Sequence, residues 1–183
     1  FSTVAIGGFS THDASIGYFD SSLIEMICIF FMVISGMNFA LHFLALRSRS
    51  LKAYLTDPEC QTYLKILAAV IVVATVVLVI YNHYDNPLLS LRYAAFQVVS
   101  VATTTGFGIT DFSLWPSFLP FLLLYTTFIG ACAGSTGGGM KVMRVMLLYR
   151  QGQREIQRLL HPNGVFTIKL GKRVKHLKKL END

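Results

Sequence analysis

Long apolar segments separated by short polar connections make up most of the chain. Residues 21–46 are almost continuously apolar, and a second apolar run over residues 66–81 becomes long enough to span a membrane if its helix begins near Glu59. Because about 20 apolar residues are needed to cross the hydrocarbon core, the pattern predicts membrane-spanning helices over residues 21–46 and 60–82. Residues 117–149 predict a third span, which is interrupted partway along.

A shorter apolar segment and a run of small and hydroxyl residues lie between the second and third spans. Residues 88–101 are too few to cross the membrane, so they predict a re-entrant half-helix whose C-terminal end carries partial negative charge toward a site. Residues 103–109 follow and are rich in threonine and glycine. At membrane depth, backbone that is neither helix nor barrel persists only where protein buries it or where it lines a wet cavity. In potassium channels, carbonyl oxygens of such backbone replace the hydration shell of the ion.

A second copy of the filter-like run opens the chain. A Gly-Phe pair occurs at Gly8-Phe9 and again at Gly106-Phe107, and each is followed by a threonine, an aspartate and a long apolar segment. An internal repeat of about 100 residues is typical of transport folds built around a site at the membrane midplane. The predicted fold class is therefore an all-α membrane protein, with repeated units of span, re-entrant pore helix, filter loop and second span as in potassium channels.

Composition and charge agree with a membrane protein. Of the 183 residues, 53% are hydrophobic and only 14% are charged, whereas soluble domains carry about 25% charged residues. The net charge is +6, and nearly all basic residues fall in residues 47–65 and 141–179, at the ends of apolar segments. The positive-inside rule assigns both regions to the cytoplasm, which argues against nucleic-acid binding as the reason for the basic charge. The same topology places acidic residues outside, near both filter segments, where they raise the local cation concentration: Asp13, Asp20, Glu25, Asp85 and Asp111.

The pattern divides the chain into three parts. Residues 1–52 comprise the filter segment and second span of one pore unit, residues 53–149 comprise a complete unit, and residues 150–183 form a basic cytoplasmic or interfacial tail. Since the first residues already form a filter segment, we expect the N-terminus to come from the middle of a longer protein. Basic side chains recur at helical spacing around the start of the tail, where anionic lipids attract them. They are Lys141, Arg144, Arg150, Arg154 and Arg158.

The third span is interrupted by a glycine-rich loop, defined here as residues 132–139. Five glycines occupy residues 130–139, and each costs a helix about 1 kcal/mol relative to alanine. We interpret the loop as an unwound segment below the filter that obstructs or opens the ion path. Two alternatives stay open: a close-packing face of small residues, and a phosphate-binding loop, although the GxxxxGK[ST] pattern and a preceding strand are missing. The loop residues are Cys132, Ala133, Gly134, Ser135, Thr136, Gly137, Gly138 and Gly139.

Small and polar residues also occur halfway along the first span, at residues 35–38. We interpret them as a site of tight helix packing with an interhelical hydrogen bond, and a pore-lining Asn38 is the alternative. His42, one turn further along, is interpreted as a packed or snorkelling side chain rather than a ligand.

Together these motifs resemble the TrkH/TrkG/KtrB family of bacterial cation transporters, over almost the whole chain up to about Val174. The resemblance implies four pore units around one potassium pathway in the bacterial inner membrane, with one conserved glycine in each filter. Here those glycines are Gly8 and Gly106, in the second and third units. It also implies that the glycine-rich loop is an intramembrane gate. The motifs that carry it lie at residues 5–11, 103–107, 128–144 and 154–163.

The resemblance also implies partners. The family works with TrkA, a cytoplasmic ring-forming regulator that binds nucleotides. The first unit, the start of the second and the whole fourth unit are absent from this chain, and residues 174–183 depart from the family pattern. Because the chain has two filter segments of the implied four, we expect it to associate with other pore units and with a second copy, as a homodimer.

We predict that the chain passes K+, and also Rb+, and that it is not an enzyme, since no nucleophile–base pair is evident. K+ is the transported ion, and no organic cofactor is expected. The predicted ligands are main-chain oxygens of Ile6, Gly7, Thr104 and Thr105, with Gly8 and Gly106 permitting the geometry.

Two other functions are compatible with the sequence. A proton- or Na+-coupled symporter of the same architecture requires a titratable group at membrane depth, for which Glu25, His42 and the aspartates near the filters are candidates. A non-conducting scaffold would dock a cytosolic protein through residues 150–180.

Overall fold

The computed structural model describes residues 1–160. Within them every regular element is helical, which confirms the predicted all-α architecture. Short 3₁₀ turns at Ser15–Phe19 and Phe112–Leu114 precede the first and sixth helices. The helices are α1 (Ser22–Ser35), α2 (Phe39–Ser48), α3 (Lys52–Thr56), α4 (Pro58–Ile80), α5 (Pro87–Ala102), α6 (Phe118–Ile129) and α7 (Val142–Leu160). The predicted tail beyond residue 160 lies outside the described residues.

Among the described helices, α4 alone is long and apolar enough to cross a membrane without a partner segment. Its start has two standard signals: Asp57 accepts a hydrogen bond from the Cys60 N–H at 2.8 Å, and Pro58 occupies the first helical position, where a missing N–H costs nothing. Only 22% of its most apolar 18-residue stretch is buried. Its bounds match the predicted span over residues 60–82.

The prediction of one continuous helix over residues 21–46 is wrong. The chain forms α1 and α2 instead, which meet at a 95° bend. Asn38 begins α2, and its side-chain Oδ1 accepts the Ala40 N–H at 2.9 Å. At Gly36, a β-carbon would lie 2.3 Å from the Tyr63 hydroxyl oxygen, so the bend packs directly on α4. The cluster of small and polar residues therefore marks a helix break and an N-cap, which neither sequence interpretation included.

His42 holds the bend from the other side. Its Nδ1 lies 2.8 Å from the Tyr54 hydroxyl on α3, and its Nε2 lies 3.0 Å from the Ile34 carbonyl oxygen on α1. With both ring nitrogens engaged, His42 is a packed side chain, as the sequence predicted.

The short helix α5 lies at the centre of the described fold, against α1, α4 and α6. Ala94, Val98 and Ala102, at steps of four residues, lie on one face and join the core formed by α4 and α6. Phe96 and Val99 pack in a second cluster with α1. This burial on several sides fixes the C-terminal end of α5, and with it the filter-like segment that follows.

The predicted break in the third span lies between α6 and α7. Helix α6 ends at Ile129 and α7 begins at Val142, so residues 130–141 are not helical. Helix α7 then continues to Leu160. The first part of the predicted basic tail, residues 150–160, is therefore the end of α7 rather than a separate element.

Candidate functional site

The backbone after α5 turns its N–H groups toward that helix and its carbonyl oxygens away from it. The Thr105 N–H donates to the Ser100 carbonyl at 2.8 Å, and the Gly106 N–H donates to the same oxygen at 3.4 Å. Because the C=O of a trans peptide points opposite to the N–H, the carbonyls of Thr104 and Thr105 both point away from Ser100. Among the described residues, neither carbonyl accepts a hydrogen bond.

The opening segment has the same arrangement. The Gly7 N–H donates to the Ser2 carbonyl at 2.9 Å, and the Ile6 N–H donates to the Thr3 carbonyl at 3.3 Å. The Ile6 carbonyl therefore points away from residues 2–3. Within the part of the chain that the structure describes, the carbonyls of Ile6 and Gly7 are also free of hydrogen bonds.

Backbone dihedrals relate the two segments position by position. Ile6 and Gly8 have φ of 55° and 64°, and Thr104 and Gly106 have φ of 64° and 86°, while the residue between each pair does not have positive φ. Left-handed residues therefore recur at every second position in both segments, which is not strand backbone, where φ stays negative throughout. Ile6 and Thr104 are non-glycine residues in the left-handed region, which is uncommon.

The two segments are in direct main-chain contact. A β-carbon on Gly8 would lie 2.2 Å from the Thr105 carbonyl oxygen and 3.3 Å from the Gly106 carbonyl carbon. Only glycine fits such an approach. At Gly106 a β-carbon would meet no atom within 4 Å, so that position needs glycine for its dihedral rather than for space.

Buried hydroxyl groups fix the second segment to the C-terminal end of α5. The Ser100 hydroxyl donates to the Phe107 carbonyl at 2.7 Å. The Thr103 and Thr105 hydroxyl oxygens lie 2.7 Å apart, and the Thr103 hydroxyl also lies 2.7 Å from the Val99 carbonyl. Each bond fixes a part of the segment relative to the last turn of α5, which limits how far the carbonyls can adjust.

An ion pair joins α1 to α5 on the side predicted to face outward. The Arg92 Nε and one terminal nitrogen each donate to an oxygen of Glu25 at 2.6 Å, while Asp20 lies 3.6 Å away. The Glu25 side chain is 3% exposed, so the charges are largely desolvated. The sequence did not identify this pair, although Arg92 is the one basic residue between residues 81 and 140, and such an isolated charge usually has a partner.

Asp111 lies at the outer end of the second filter-like segment. Its carboxylate accepts hydrogen bonds from the Ser113 hydroxyl at 2.6 Å and the Ser113 N–H at 2.9 Å. These bonds, the hydroxyl first, lower the pKa of Asp111 below its usual value, so the exposed carboxylate stays negatively charged near neutral pH.

The glycine-rich loop interlocks with the bend between α1 and α2. The Cys132 N–H donates to the Gly36 carbonyl at 2.9 Å, and in return the Phe39 N–H donates to the Gly134 carbonyl at 3.1 Å. The two helix breaks therefore satisfy each other's unpaired backbone groups. The backbone at Gly130, just before the loop, also packs closely on the end of the loop, since a β-carbon on Gly130 would lie 2.3 Å from the Gly138 carbonyl oxygen.

The same loop contacts both filter-like segments. The Gly138 N–H donates to the Thr104 hydroxyl at 2.7 Å, and the Thr136 hydroxyl lies 3.0 Å from the Val4 carbonyl oxygen. A β-carbon on Gly137 would lie 3.0 Å from the Thr103 carbonyl oxygen. The structure thus brings together the residues that the sequence predicted as filter and as loop.

Glu59, which the sequence predicted only as part of a helix start, lies against both sides of the loop. It is 2% exposed, and its Oε1 accepts the Ala133 N–H at 2.6 Å and the Met143 N–H at 3.2 Å. An acidic residue directly before a predicted span is the signal that could have identified it.

The five basic residues predicted as cytoplasmic contacts differ in their surroundings. Lys141 has φ of 73°, and its ammonium group donates to the Gly137 carbonyl. Arg154 and Arg158 pair with Glu155 at 2.8 and 3.5 Å, which lowers the pKa of that carboxyl group, chiefly through Arg154. Arg144 and Arg150 lie on the same helix, α7.

The chain is similar to known cation transport proteins. The family model of TrkH, a cation transport protein, matches residues 1–179. The Trk system potassium uptake protein TrkH of Salmonella typhimurium is 56% identical over 173 residues, which is 94% of this chain and 36% of that relative. The TrkH of Escherichia coli K12 is 55% identical over the same shares of both chains. The crystal structure of the potassium transporter TrkH from Vibrio parahaemolyticus superposes with a TM-score of 0.89 at 52% identity, covering 93% of this chain and 37% of that one. The chain thus spans about a third of the length of these relatives.

Proposed function

The chain belongs to the TrkH family of cation transport proteins, and we propose that it supplies two filter segments of a potassium uptake protein in the bacterial inner membrane. Its relatives are named as potassium transport proteins, not as enzymes. Since the chain matches about a third of each relative, the other filter segments of the pore come from sequence outside it.

The observation that carries this proposal is the orientation of the peptides in the two segments. Four carbonyl groups, those of Ile6, Gly7, Thr104 and Thr105, accept no hydrogen bond within the described part of the chain. Two of them point away from the Ser100 carbonyl, and Gly8 touches the main chain of Thr105. Free carbonyl oxygens on adjoining, repeated loops are the chemistry that replaces water around a dehydrated alkali cation.

The site acts without bond-making chemistry. K+ loses water at the mouth of the pore and gains carbonyl oxygens in return, and Rb+, which is slightly larger, passes in the same way. The C-terminal end of α5, at Ala102, contributes partial negative charge. The hydrogen bonds made by Ser100 and Thr103 hold the carbonyls at a spacing that suits K+ better than Na+.

Gating in this proposal belongs to the glycine-rich loop. Gly138 donates to the hydroxyl of Thr104, and Gly137 approaches the Thr103 carbonyl, so the loop lies across the end of the second filter segment. In this position it blocks the ion path. Conduction then requires the loop to move away, which the five glycines of residues 130–139 favour.

The partners follow from the family and from the charge pattern. The name of the relatives' Trk system fits a complex of several components, and we propose a TrkA-like nucleotide-binding ring on the cytoplasmic side and a second copy of the pore protein. The basic side of α7 faces anionic lipids or that ring. Lys141, Arg144, Arg150, Arg154 and Arg158 are the contact residues proposed.

A coupled symporter of the same architecture is the alternative, and the contacts of two of its candidate groups, Glu25 and His42, do not favour it. Glu25 is held by Arg92 in a two-point ion pair, and both nitrogens of His42 are engaged. A proton-coupling residue needs to exchange its proton freely during each cycle.

Substitution of Gly106 by serine tests the filter assignment in the full-length protein. A β-carbon there meets no atom within 4 Å, but φ is 86°, so the variant inserts and folds while the carbonyl geometry changes. We expect the preference for K+ over Na+ in Rb+ uptake competition to fall. Unchanged selectivity in a properly inserted variant would refute the assignment.

A further inference from the structure

Glu59 connects the two sides of the break between α6 and α7. Ala133 lies in the glycine-rich loop, and Met143 lies in the first turn of α7. Both backbone N–H groups donate to the same carboxylate oxygen, at 2.6 and 3.2 Å. The carboxylate itself belongs to the first turn of a third element, α4. One side-chain oxygen thus fixes the start and the end of the loop to a membrane-spanning helix.

A buried carboxylate needs such partners. Glu59 is 2% exposed, and among the described residues no lysine or arginine forms a salt bridge with it. Its charge is stabilised instead by backbone N–H groups, including one from the first turn of α7, where the helix dipole is positive. The N–H groups of a first turn have no partner within their own helix, so Glu59 caps α7 from another segment.

Strained backbone lies next to this contact. Lys141, which precedes α7, has φ of 73°, a conformation that a long side chain adopts only when its surroundings enforce it. Its ammonium group donates to the Gly137 carbonyl. The loop is therefore closed by Lys141 and anchored by Glu59.

The anchored loop reaches the filter segments. Gly138 donates to the Thr104 hydroxyl at 2.7 Å, and Thr136 lies 3.0 Å from the Val4 carbonyl oxygen. The position of the loop relative to Glu59 therefore sets its position relative to the filter. We propose that Glu59 is the positioning residue of the gate: its carboxylate latches the glycine-rich loop in the blocking position, and opening requires both hydrogen bonds to break. This inference rests on the proposed potassium pathway.

Three variants test this contact, which we call the latch. Each full-length protein is reconstituted into liposomes without a cytoplasmic regulator, and its Rb+ uptake is measured. Glu59→Ala removes the oxygen that accepts both N–H groups and raises uptake on the order of tenfold, the equilibrium shift expected from loss of a charge-assisted hydrogen bond. Glu59→Gln keeps a neutral oxygen that accepts both N–H groups, so its uptake falls between wild type and Glu59→Ala. Asp57→Ala is the matched control, because it removes the N-cap of the same helix and leaves the loop contacts intact.

The outcomes separate the two proposals. The latch is supported if Rb+ uptake increases from wild type to Glu59→Gln and again to Glu59→Ala. Asp57→Ala should then take up Rb+ at the wild-type level, and all four proteins should keep the same preference for K+. Equal uptake in wild type and Glu59→Ala, or an equal rise in Asp57→Ala, overturns it while leaving the filter proposal standing. Wild-type protein that takes up Rb+ without preferring K+ over Na+ refutes the filter proposal instead.

A second measurement covers the case in which Glu59→Ala does not accumulate. Hydrogen exchange of wild type and Glu59→Gln reports directly on the two backbone donors. Faster exchange over residues 131–143 in Glu59→Gln, with unchanged exchange in α5, supports the latch. Identical exchange over residues 131–143 in both proteins overturns it.

Discussion

The α-carbon of Gly8 lies so close to the carbonyl oxygen of Thr105 that a methyl group on Gly8 would be 2.2 Å from it. This contact joins two segments that are separated by nearly a hundred residues and that share the same order of backbone handedness. It is main chain against main chain, so no rearrangement of side chains can relieve a substitution. Gly8 is therefore needed for this close approach and for its positive φ, whereas Gly106 is needed for its positive φ alone.

The first prediction compares alanine at these two glycines. Gly106→Ala adds only the strain of a left-handed alanine, about 1–2 kcal/mol, and keeps the fold with reduced K+ preference. Gly8→Ala adds the same strain and a backbone collision, so we expect loss of K+ preference and lower yield of folded protein. Rb+ uptake with K+ and Na+ as competitors measures both variants.

Gly152→Ala is the control for that comparison, since a β-carbon on this exposed helical glycine meets nothing within 4 Å. It should behave as wild type in selectivity and yield. Gly8→Ala with full K+ preference would show that the two segments do not form one site.

The second prediction concerns two buried serines of α5. The Ser100 hydroxyl donates to the Phe107 carbonyl at 2.7 Å, whereas the Ser90 hydroxyl has no hydrogen-bond partner among the described residues. Ser100→Ala should cost about 1–2 kcal/mol and loosen the filter segment, which lowers K+ preference. Ser90→Ala removes an unpaired hydroxyl and should be neutral or slightly stabilising.

Thermal unfolding of the purified full-length protein and cation competition measure both effects. The interpretation of Ser100 as a support of the filter fails if Ser100→Ala and Ser90→Ala have the same selectivity.

The third prediction concerns the ion pair between Glu25 and Arg92. Arg92→Ala leaves a carboxylate that is 3% exposed without its partner, at a cost of about 3 kcal/mol. Arg92→Lys keeps the charge but loses the two-point geometry, so it recovers only part of the stability. The unfolding free energies of Glu25→Gln, of Arg92→Gln and of the variant that carries both substitutions give the coupling free energy between the two residues.

A double variant, Glu25→Gln with Arg92→Gln, is the informative control, since it removes both charges. It should be more stable than Arg92→Ala. Additive effects of the single substitutions would mean that the pair does not hold α1 against α5.

The sequence predicted the features that depend on local residue pattern and missed those that depend on contacts between distant parts of the chain. Apolar length and a helix start near Glu59 located α4, and the glycine content located the break before α7. The 95° bend after Ser35 was missed because the small and polar residues 35–38 were interpreted as a packing site or a pore lining and not as a helix break. Its stabilising partner is the glycine-rich loop, about 100 residues further along the chain.

The same limit applies to the site. The repeated Gly-Phe pairs pointed to Gly8 and Gly106, and the dihedrals agree with the repeat. The role of Glu59 could not be predicted, since its partners are backbone N–H groups, which every residue but proline has. Its acidic side chain at the start of an apolar span was the only local signal.

The most direct test of the filter proposal is a structure of the intact protein in Rb+, whose anomalous scattering identifies the ion. We expect Rb+ density within direct coordination distance of the carbonyl oxygens of Ile6, Gly7, Thr104 and Thr105. Density confined to the acidic outer surface, or those carbonyl oxygens turned away from the ion path in the complete assembly, would contradict it.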